Sequence, residues 1–583
     1  MTPINQEIKC FKTLDDFLQD DKSKYPNTLP LFLEDCVKKY GNNPALSKAL
    51  EEPFTYKEML EKVHSMSLLL EEKAINAGDR VAILGENSPN WGISYFAIVA
   101  IGAIAVPILP DFPESDIHHI LIDSECKLLF STYKQYERLG DLSTTRIKSV
   151  IMLDDFKEDT HSTKMESITD IFERAIDYIK KKIPSPFGSF FKKTSEDDVV
   201  SIIYTSGTSG HSKAVMLTHK NFISNVIAIS LLTRIDHTDS FLSILPLSHC
   251  YEFTIGFLLP LLRGARIIYL SKPPTPRILE EICKVEKPTT ICSVPLILEK
   301  IYKKKVLPVL EKNLAIKFLT IIPGLRKRIY KKINKKLIEF FGGRLRIMAV
   351  GGASFNREAE KFFRAAGFPY LVGYGLTETS PLLAGGPEGD KSIRVTSTGK
   401  VTPGCEIKIV DPDKKTGIGE IYGRGPSVMK GYYKNQALTD EVLDSQGWFK
   451  TGDLGYFDKN DNLYIKGRSK NIIVLSNGEN VYPEAIEEKL NSSLFVQESL
   501  LLENNDQLEA LVYLDYDVID SQTKGKTEKQ RLDFIQHRLT VLKDETNELL
   551  PTFSRISRIY EQAEPFIKTA TQKIKRYLYI HQK

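Results

Sequence analysis

Residues Thr205–Lys213, TSGTSGHSK, are rich in glycine and hydroxyl side chains and end in a lysine. Such a loop lets backbone N–H groups approach phosphate oxygens with no Cβ in the way. Thr205, Ser206, Gly207, Thr208, Ser209 and Gly210 would line the cradle, and Lys213 would add a point charge. An exposed hairpin turn is the plain alternative, because Ser/Thr/Gly loops are common. The spacing G-x-x-G-x-x-K, flanked by the apolar runs Val199–Tyr204 and Ala214–Thr218, is not that of a Walker A loop, which leads into a helix.

Two further places carry chemistry by residue type. Glu378 follows Thr377, and a carboxylate beside a hydroxyl can hold a divalent cation against phosphate oxygens. The same pair also suits an ordinary solvated helix start. Arg346–Ala353, RIMAVGGA, reads as a strand running into a glycine turn, whose backbone can come close to a flat base or can simply end the strand.

The loop has company in a fixed order: GYGLTET at Gly373–Thr379, WFKTGDL at Trp448–Leu454 and GRSK at Gly467–Lys470. With these motifs the chain resembles the adenylate-forming superfamily of acyl-CoA synthetases, adenylation domains and luciferases. Within it the chain is most similar to bacterial long-chain fatty acyl-CoA synthetases. The resemblance runs from about Leu31 to the last residues.

The resemblance implies roles. Gly352 and Ala353 form one wall of an adenine pocket, and Tyr374, followed by Gly375, forms the other by stacking. Thr377 bonds the α-phosphate, and Glu378, with Thr205, holds Mg²⁺. Asp453 accepts the ribose hydroxyls and Arg468 reaches the same sugar, although an aspartate after Gly452 also suits a β-turn. His249 sits at the carboxylate mouth, where a lone histidine after an apolar strand is otherwise a packing residue. Phe253, four residues on, could gate an acyl tunnel. Lys470, where many relatives have Asp, is the hinge. Lys573 aligns with the catalytic lysine in PFIKTATQKIKR, Pro565–Arg576, although Gln572 stands where Gly is common; outside the family this cluster would be a solvated tail.

The implied reaction joins a carboxylate to AMP from ATP, releases pyrophosphate, and passes the acyl group to a thiol. A fatty acid fits, because amino-acid-activating relatives place an Asp just after the His249 position, whereas the only acid in CYEFT is Glu252. CoA is the expected acceptor, with acyl carrier protein as the alternative. A nucleotide-binding regulator without turnover is the reading from another class, and the full set Lys213, Glu378, Asp453, Arg468 and Lys573 speaks against it.

The elements that must position these residues alternate. Amphipathic Leu31–Tyr40, a helix capped at Thr55, the strand Asp79–Leu84, a helix about Trp91–Ile101 and strands at Val106–Ile108, Leu128–Ser131 and Val150–Leu153 predict an α/β fold. Thr218–Leu232 predicts a helix, Phe241–His249 a strand ending in a turn, and Asn471–Leu475 a strand. The expected architecture is a large N-terminal domain, 1–467 with its core from 31, of mostly parallel sheets flanked by helices with a small β-barrel-like part. A hinge at 468–470 and a small mobile α+β domain, 471–583, follow. Segments 160–196 and 300–340 read as insertions.

At 583 residues and 42% hydrophobic, the chain can bury a large core. Its longest apolar stretch, Ile93–Leu109, is broken by Ser94, Gly102 and Pro107 and reads as a buried helix and strand, not a membrane span. No secretory signal is visible, and seven scattered cysteines without C-x-x-C suit a reduced cytoplasmic protein. The net charge of +4 hides thirteen Lys/Arg and one acid, Glu311, between Lys300 and Lys336. Interleaved with leucine, isoleucine and phenylalanine, this stretch could rest on the inner face of an anionic membrane, dock an acidic carrier protein, or be a solvated helical face. Nucleic acid is not expected, since no recognition module accompanies the charge.

Overall fold

The computed structural model describes residues 26–159, 192–205, 212–311, 318–476, 478–569 and 573–580. Two large sheets and the helices between and around them make up the N-terminal part. In the eight-stranded sheet the strands run in the order Gly431–Tyr432, Lys213–Thr218, Val199–Thr205, Ile104–Ile108, Arg80–Leu84, Leu128–Ser131, Ser149–Met152, Glu158–Asp159. Its centre is parallel, and Val199–Thr205 with Lys213–Thr218 forms an antiparallel hairpin at one side. The nine-stranded sheet is parallel from Pro44–Lys48 through Arg266–Tyr269, Ser240–Ser243, Thr290–Ser293 and Ile347–Val350 to Tyr370–Gly375, where it turns antiparallel.

Both faces of these strands are covered, as parallel sheets require. In Arg80–Leu84, Val81 and Ile83 face one core while Ala82 and Leu84 face another. The helices Pro89–Ala100 and His219–Leu232 bury nearly every side chain in the core that joins the two sheets. Thr55 and Thr218 enter their helices through capping boxes, with Glu58 and Asn221 as the reciprocal partners.

The predicted strand Phe241–His249 is shorter than its apolar run. It stops at Ser243, because the Asn87 side chain takes over the backbone beyond it, donating to the Leu245 carbonyl at 2.6 Å and accepting from the Leu247 N–H at 2.8 Å. A π-helix, Glu252–Leu258, follows. The predicted strand Asn471–Leu475 likewise shrinks to Ile473–Val474, preceded by a 3₁₀ turn Ser469–Asn471 that holds Lys470.

A four-stranded antiparallel sheet, Glu406–Val410, Gly419–Arg424, Phe449–Phe457 and Leu463–Arg468, closes the large domain. The small domain packs the helices Pro483–Asn491, Tyr516–Thr523 and Glu528–Glu548 on one face of the sheet Val496–Asn504, Gln507–Leu514, Ile556–Gln562. The other face takes the end of the chain through Phe566 and Tyr579, whose rings lie edge to face at 5.2 Å. The segment 300–340 is largely helical; most of segment 160–196 lies outside the described residues.

Candidate functional site

The cleft is built from strand ends. Asp453 and Arg468 are opposite partners in adjacent antiparallel strands. The Arg468 Nε stands 2.9 Å from Asp453 Oδ1, and the Tyr374 hydroxyl donates to Oδ2 at 2.8 Å. Tyr374 comes from a different sheet, so Asp453 ties the four-stranded sheet to the nine-stranded one. Burial pushes the Asp453 carboxyl up from its ordinary range, while Arg468, Tyr374 and Lys573 hold it down.

Gly375 ends the strand of Tyr374. A Cβ there would lie 1.7 Å from the Pro381 carbonyl oxygen, so only glycine lets the chain double back into Leu382–Gly385. The turn between them, Thr377–Thr379, is a single 3₁₀ turn that carries Thr377 and Glu378. Gly352 has φ +86° and, with Ala353, lies exposed beyond the strand Ile347–Val350, beside the strand of Tyr374.

Lys213 opens its strand opposite Thr205, whose hydroxyl donates to the Lys213 carbonyl at 3.4 Å. Ser206, Gly207, Thr208, Ser209 and Gly210 lie outside the described residues. The Lys213 Nζ lies 5.1 Å from the centre of the Tyr432 ring, and the Tyr432 hydroxyl donates to Glu378 Oε1 at 2.9 Å. Burial lowers the Lys213 pKa, Glu378 raises it, and Lys470 and Arg468 lower it, so these groups share one field. Sequence reasoning missed Tyr432. Its signal was faint: a Gly-Tyr pair whose two-residue strand pairs with Val215 and Met216, just past the lysine.

Lys573 reaches this field from the small domain. Its backbone closes a turn with Thr569, whose N–H donates to the Lys573 carbonyl at 2.8 Å and whose hydroxyl accepts from the Lys573 N–H at 3.2 Å. Gln572 lies outside the described residues. Lys573 is open to solvent by area yet crowded by protein, as a group in a cleft is. That crowding lowers its pKa, as does Arg468, against the pull of Asp453 and Glu378. Its charge also helps burial hold His249 down to about 4, so this imidazole is neutral near pH 7. The His249 Nδ1 accepts from the Tyr251 N–H at 3.3 Å, which leaves the proton on Nε2.

Phe253 is apart from the charged groups. It is buried in an aromatic cluster, with ring centres 4.3 Å from Tyr95, 5.0 Å from Phe222, 5.6 Å from Phe257 and 6.1 Å from Trp91. Beside it Glu252 is fully buried and accepts from the Ser243 hydroxyl at 2.6 Å. Burial pushes its carboxyl up to about 8, so it is neutral at pH 7.

Among the described residues no group of three or more His, Cys, Asp or Glu could cage a metal. Mg²⁺ needs no such cage, since it takes one or two protein oxygens and leaves its other positions to water and phosphate. The arrangement as a whole pairs a hydroxyl-binding carboxylate with cations from two domains, which suits a nucleotide phosphate held beside a second substrate.

The AMP-binding enzyme family model matches residues 33–433, and the model of the AMP-binding enzyme C-terminal domain matches 470–582. Fatty acyl-CoA synthetase A of Dictyostelium discoideum is 28% identical, over 88% of this chain and 81% of its own. A chloroplastic long-chain-fatty-acid–[acyl-carrier-protein] ligase of Arabidopsis thaliana is 27% identical, over 87% and 77%. Among solved structures, the o-succinylbenzoate CoA synthetase of Bacillus subtilis in complex with ATP and a magnesium ion superposes with a TM-score of 0.68 at 21% identity, covering 94% of this chain and 98% of that one. The anthranilate CoA ligase AuaEII in complex with anthranoyl-AMP gives 0.74 at 19%, over 95% and 97%.

Proposed function

The chain belongs to the AMP-binding enzyme family, and from that premise we propose that it activates a long-chain fatty acid with ATP and passes the acyl group to CoA. The observation that carries this reading is the Asp453 carboxylate, held by Arg468 at 2.9 Å and by Tyr374 at 2.8 Å, with Lys573 of the small domain in the same electrostatic field.

A carboxylate is a poor electrophile until its oxygen carries a leaving group. In the first step it attacks the α-phosphorus of ATP, and pyrophosphate departs. Asp453 accepts from the ribose hydroxyls, with Arg468 steadying its carboxylate. Tyr374 and the Gly352–Ala353 turn flank the base. Lys213, the loop after Thr205, Thr377 and Lys573 offset the charge that builds on the phosphate oxygens; aids of this kind are each worth about 3–4 kcal/mol. Mg²⁺ held by Glu378 and Thr205 would neutralise part of the same charge. Neutral His249 can donate its Nε2–H to the substrate carboxylate. In the second step the thiol attacks the acyl carbon and AMP leaves, with the small domain rotated about Lys470.

The acyl chain supports the same reading. Glu252, neutral and spoken for by Ser243, offers no counter-charge for an α-ammonium, and the surroundings of Phe253 are aromatic. Phe253 is the proposed gate to that space. Both names among the relatives, a CoA synthetase and a carrier-protein ligase, keep acyl carrier protein as the second acceptor.

A cytoplasmic location, with contact to the inner face of the membrane, completes the proposal. Its support is a cluster of exposed apolar side chains, Phe318 at 68% and Ile321 at 71%, just ahead of the helix Pro323–Phe340, which bears Arg326, Lys327, Arg328 and Lys331. Among the described residues no helix is long and apolar enough to cross a membrane. Pyrophosphate release, measured over a panel of fatty acids with CoA, with acyl carrier protein and with neither, tests substrate and acceptor together; release that no fatty acid stimulates would contradict the reading.

A further inference from the structure

Lys303 stands second in the run of basic residues that reads, in sequence, as a solvated or membrane-facing stretch. The structure uses it otherwise. It lies on a π-helical turn, Tyr302–Val306, that interrupts the helical segment after Pro295. From there its ammonium crosses to the small domain and donates to three backbone carbonyls, of Asn491 at 2.6 Å, Val496 at 3.0 Å and Ser493 at 3.1 Å.

The Asn491 carbonyl is the last of the helix Pro483–Asn491, Ser493 lies just past it, and Val496 opens the strand Val496–Asn504. A helix end leaves carbonyls without partners and carries negative partial charge, so a buried ammonium there answers both. Three donors meet three acceptors, which exhausts the hydrogen-bonding capacity of a lysine. Glu299 and Asp515 face the same ammonium and favour its charge, while its burial opposes it. Around it lie weaker ties between the domains. Asn356 Nδ2 donates to Ser492 Oγ at 2.7 Å, the Arg357 N–H donates to Glu488 Oε1 at 3.0 Å, and Lys304 approaches Asp517 at 3.6 Å.

We propose that Lys303 is a positioning residue for the adenylation step: by clasping the end of the helix Pro483–Asn491 it holds the small domain in the orientation that places Lys573 beside Asp453 and His249. The inference rests on the proposed two-step reaction. Rotation about Lys470 must pull these carbonyls away from the ammonium, which can return to water. Lys303 therefore favours the first half-reaction and not the second.

The test uses the full-length enzyme and a saturated fatty acid. Exchange of labelled pyrophosphate into ATP reads the first half-reaction, and thioester formation from supplied acyl adenylate and CoA reads the second. Lys303→Met, which keeps the stem and removes the charge, is expected to slow exchange about tenfold or more while leaving thioester formation unchanged or faster. Lys303→Arg should restore most of the exchange. Ser492→Ala, which removes the neighbouring tie to Asn356 and, within the small domain, the hydroxyl's bond to the Glu488 carbonyl, should move the balance the same way by a smaller factor and guards against a Lys303→Met protein that does not fold. Equal loss in both half-reactions, or none in either, would overturn the clasp. A dye on each domain reads it without chemistry: Lys303→Met should deplete the close-distance population in the unliganded protein, and an unchanged distribution would count against it. Wild-type enzyme that failed to exchange at all would strike the proposed reaction instead, while the distance measurement still judged Lys303.

Discussion

Asp453 and Arg468 face each other across two antiparallel strands, with Nε 2.9 Å from Oδ1, and Arg468 is the last strand residue before the turn that holds Lys470. The partner of the proposed ribose contact and the proposed hinge are therefore two residues apart, one ending a strand and the other in the turn that follows it.

Asp453→Asn removes the charge that Arg468 and Tyr374 both address, at constant size. The KM for ATP is expected to rise about tenfold or more, since a hydrogen bond to a charged group is worth about 1.5–3 kcal/mol. The sharper readout is preference for ATP over 2′-deoxy-ATP, which the wild type should show and the variant should largely lose. A variant with undiminished preference would remove Asp453 from the sugar.

Tyr432→Phe deletes the hydroxyl that donates to Glu378 Oε1 and keeps the ring beneath Lys213. One net hydrogen bond, about 1 kcal/mol, corresponds to roughly a fivefold loss in kcat/KM for ATP. The Mg²⁺ concentration for half-maximal rate should shift with it, because the carboxylate loses a fixed orientation. Tyr432→Ala, which loses the ring as well, should be worse; a Phe variant with wild-type kinetics and Mg²⁺ dependence would mean that the hydroxyl positions nothing.

Glu252 gives a pH dependence with a definite sign. Its carboxyl is raised from an ordinary 4.5 to about 8 in the fold. The stability this proton confers is complete below pH 4.5 and is lost as pH rises through 8. His249, lowered from 6.5 to about 4, acts oppositely, its contribution being complete above 6.5 and lost as pH falls through 4. Urea unfolding of Glu252→Gln against wild type isolates the first effect. The variant should gain on the wild type between pH 5 and pH 8, by an amount on the order of a few kcal/mol. A constant difference across that range would show that Glu252 is ionised throughout.

For the exposed cluster at Phe318 and Ile321, sedimentation with vesicles is the direct check. Anionic vesicles should carry down more protein than neutral ones, less so at high salt, and the double substitution Phe318→Asp, Ile321→Asp should abolish the difference. Equal sedimentation with both vesicle types would dismiss membrane contact.

Much of the fold was legible because its signals are local. Thr55 reads as an N-cap, which the structure completes as a capping box with Glu58, Val199–Lys213 reads as strand and loop, and the apolar run before Leu109 resolves into a buried helix and strand. Lys213, Glu378, Asp453, Arg468 and Lys573 were also visible, each inside a short motif. What stayed hidden depends on contacts between distant segments. Tyr432 gains its place only when its two-residue strand pairs with the strand of Lys213. The strand after Phe241 ends early because Asn87, 156 residues from Ser243, captures the backbone. Lys303 looks like its basic neighbours until a helix end 188 residues away meets it.

The central claim is that a fatty carboxyl is joined to AMP in this cleft. Exchange of labelled pyrophosphate into ATP, measured with purified protein, Mg²⁺ and a series of fatty acids, tests it most directly. Label should enter ATP only when a long-chain acid is present, and Lys573→Ala should cut the rate by about a hundredfold. Exchange that no acid provokes, from folded protein that binds ATP, would contradict the claim.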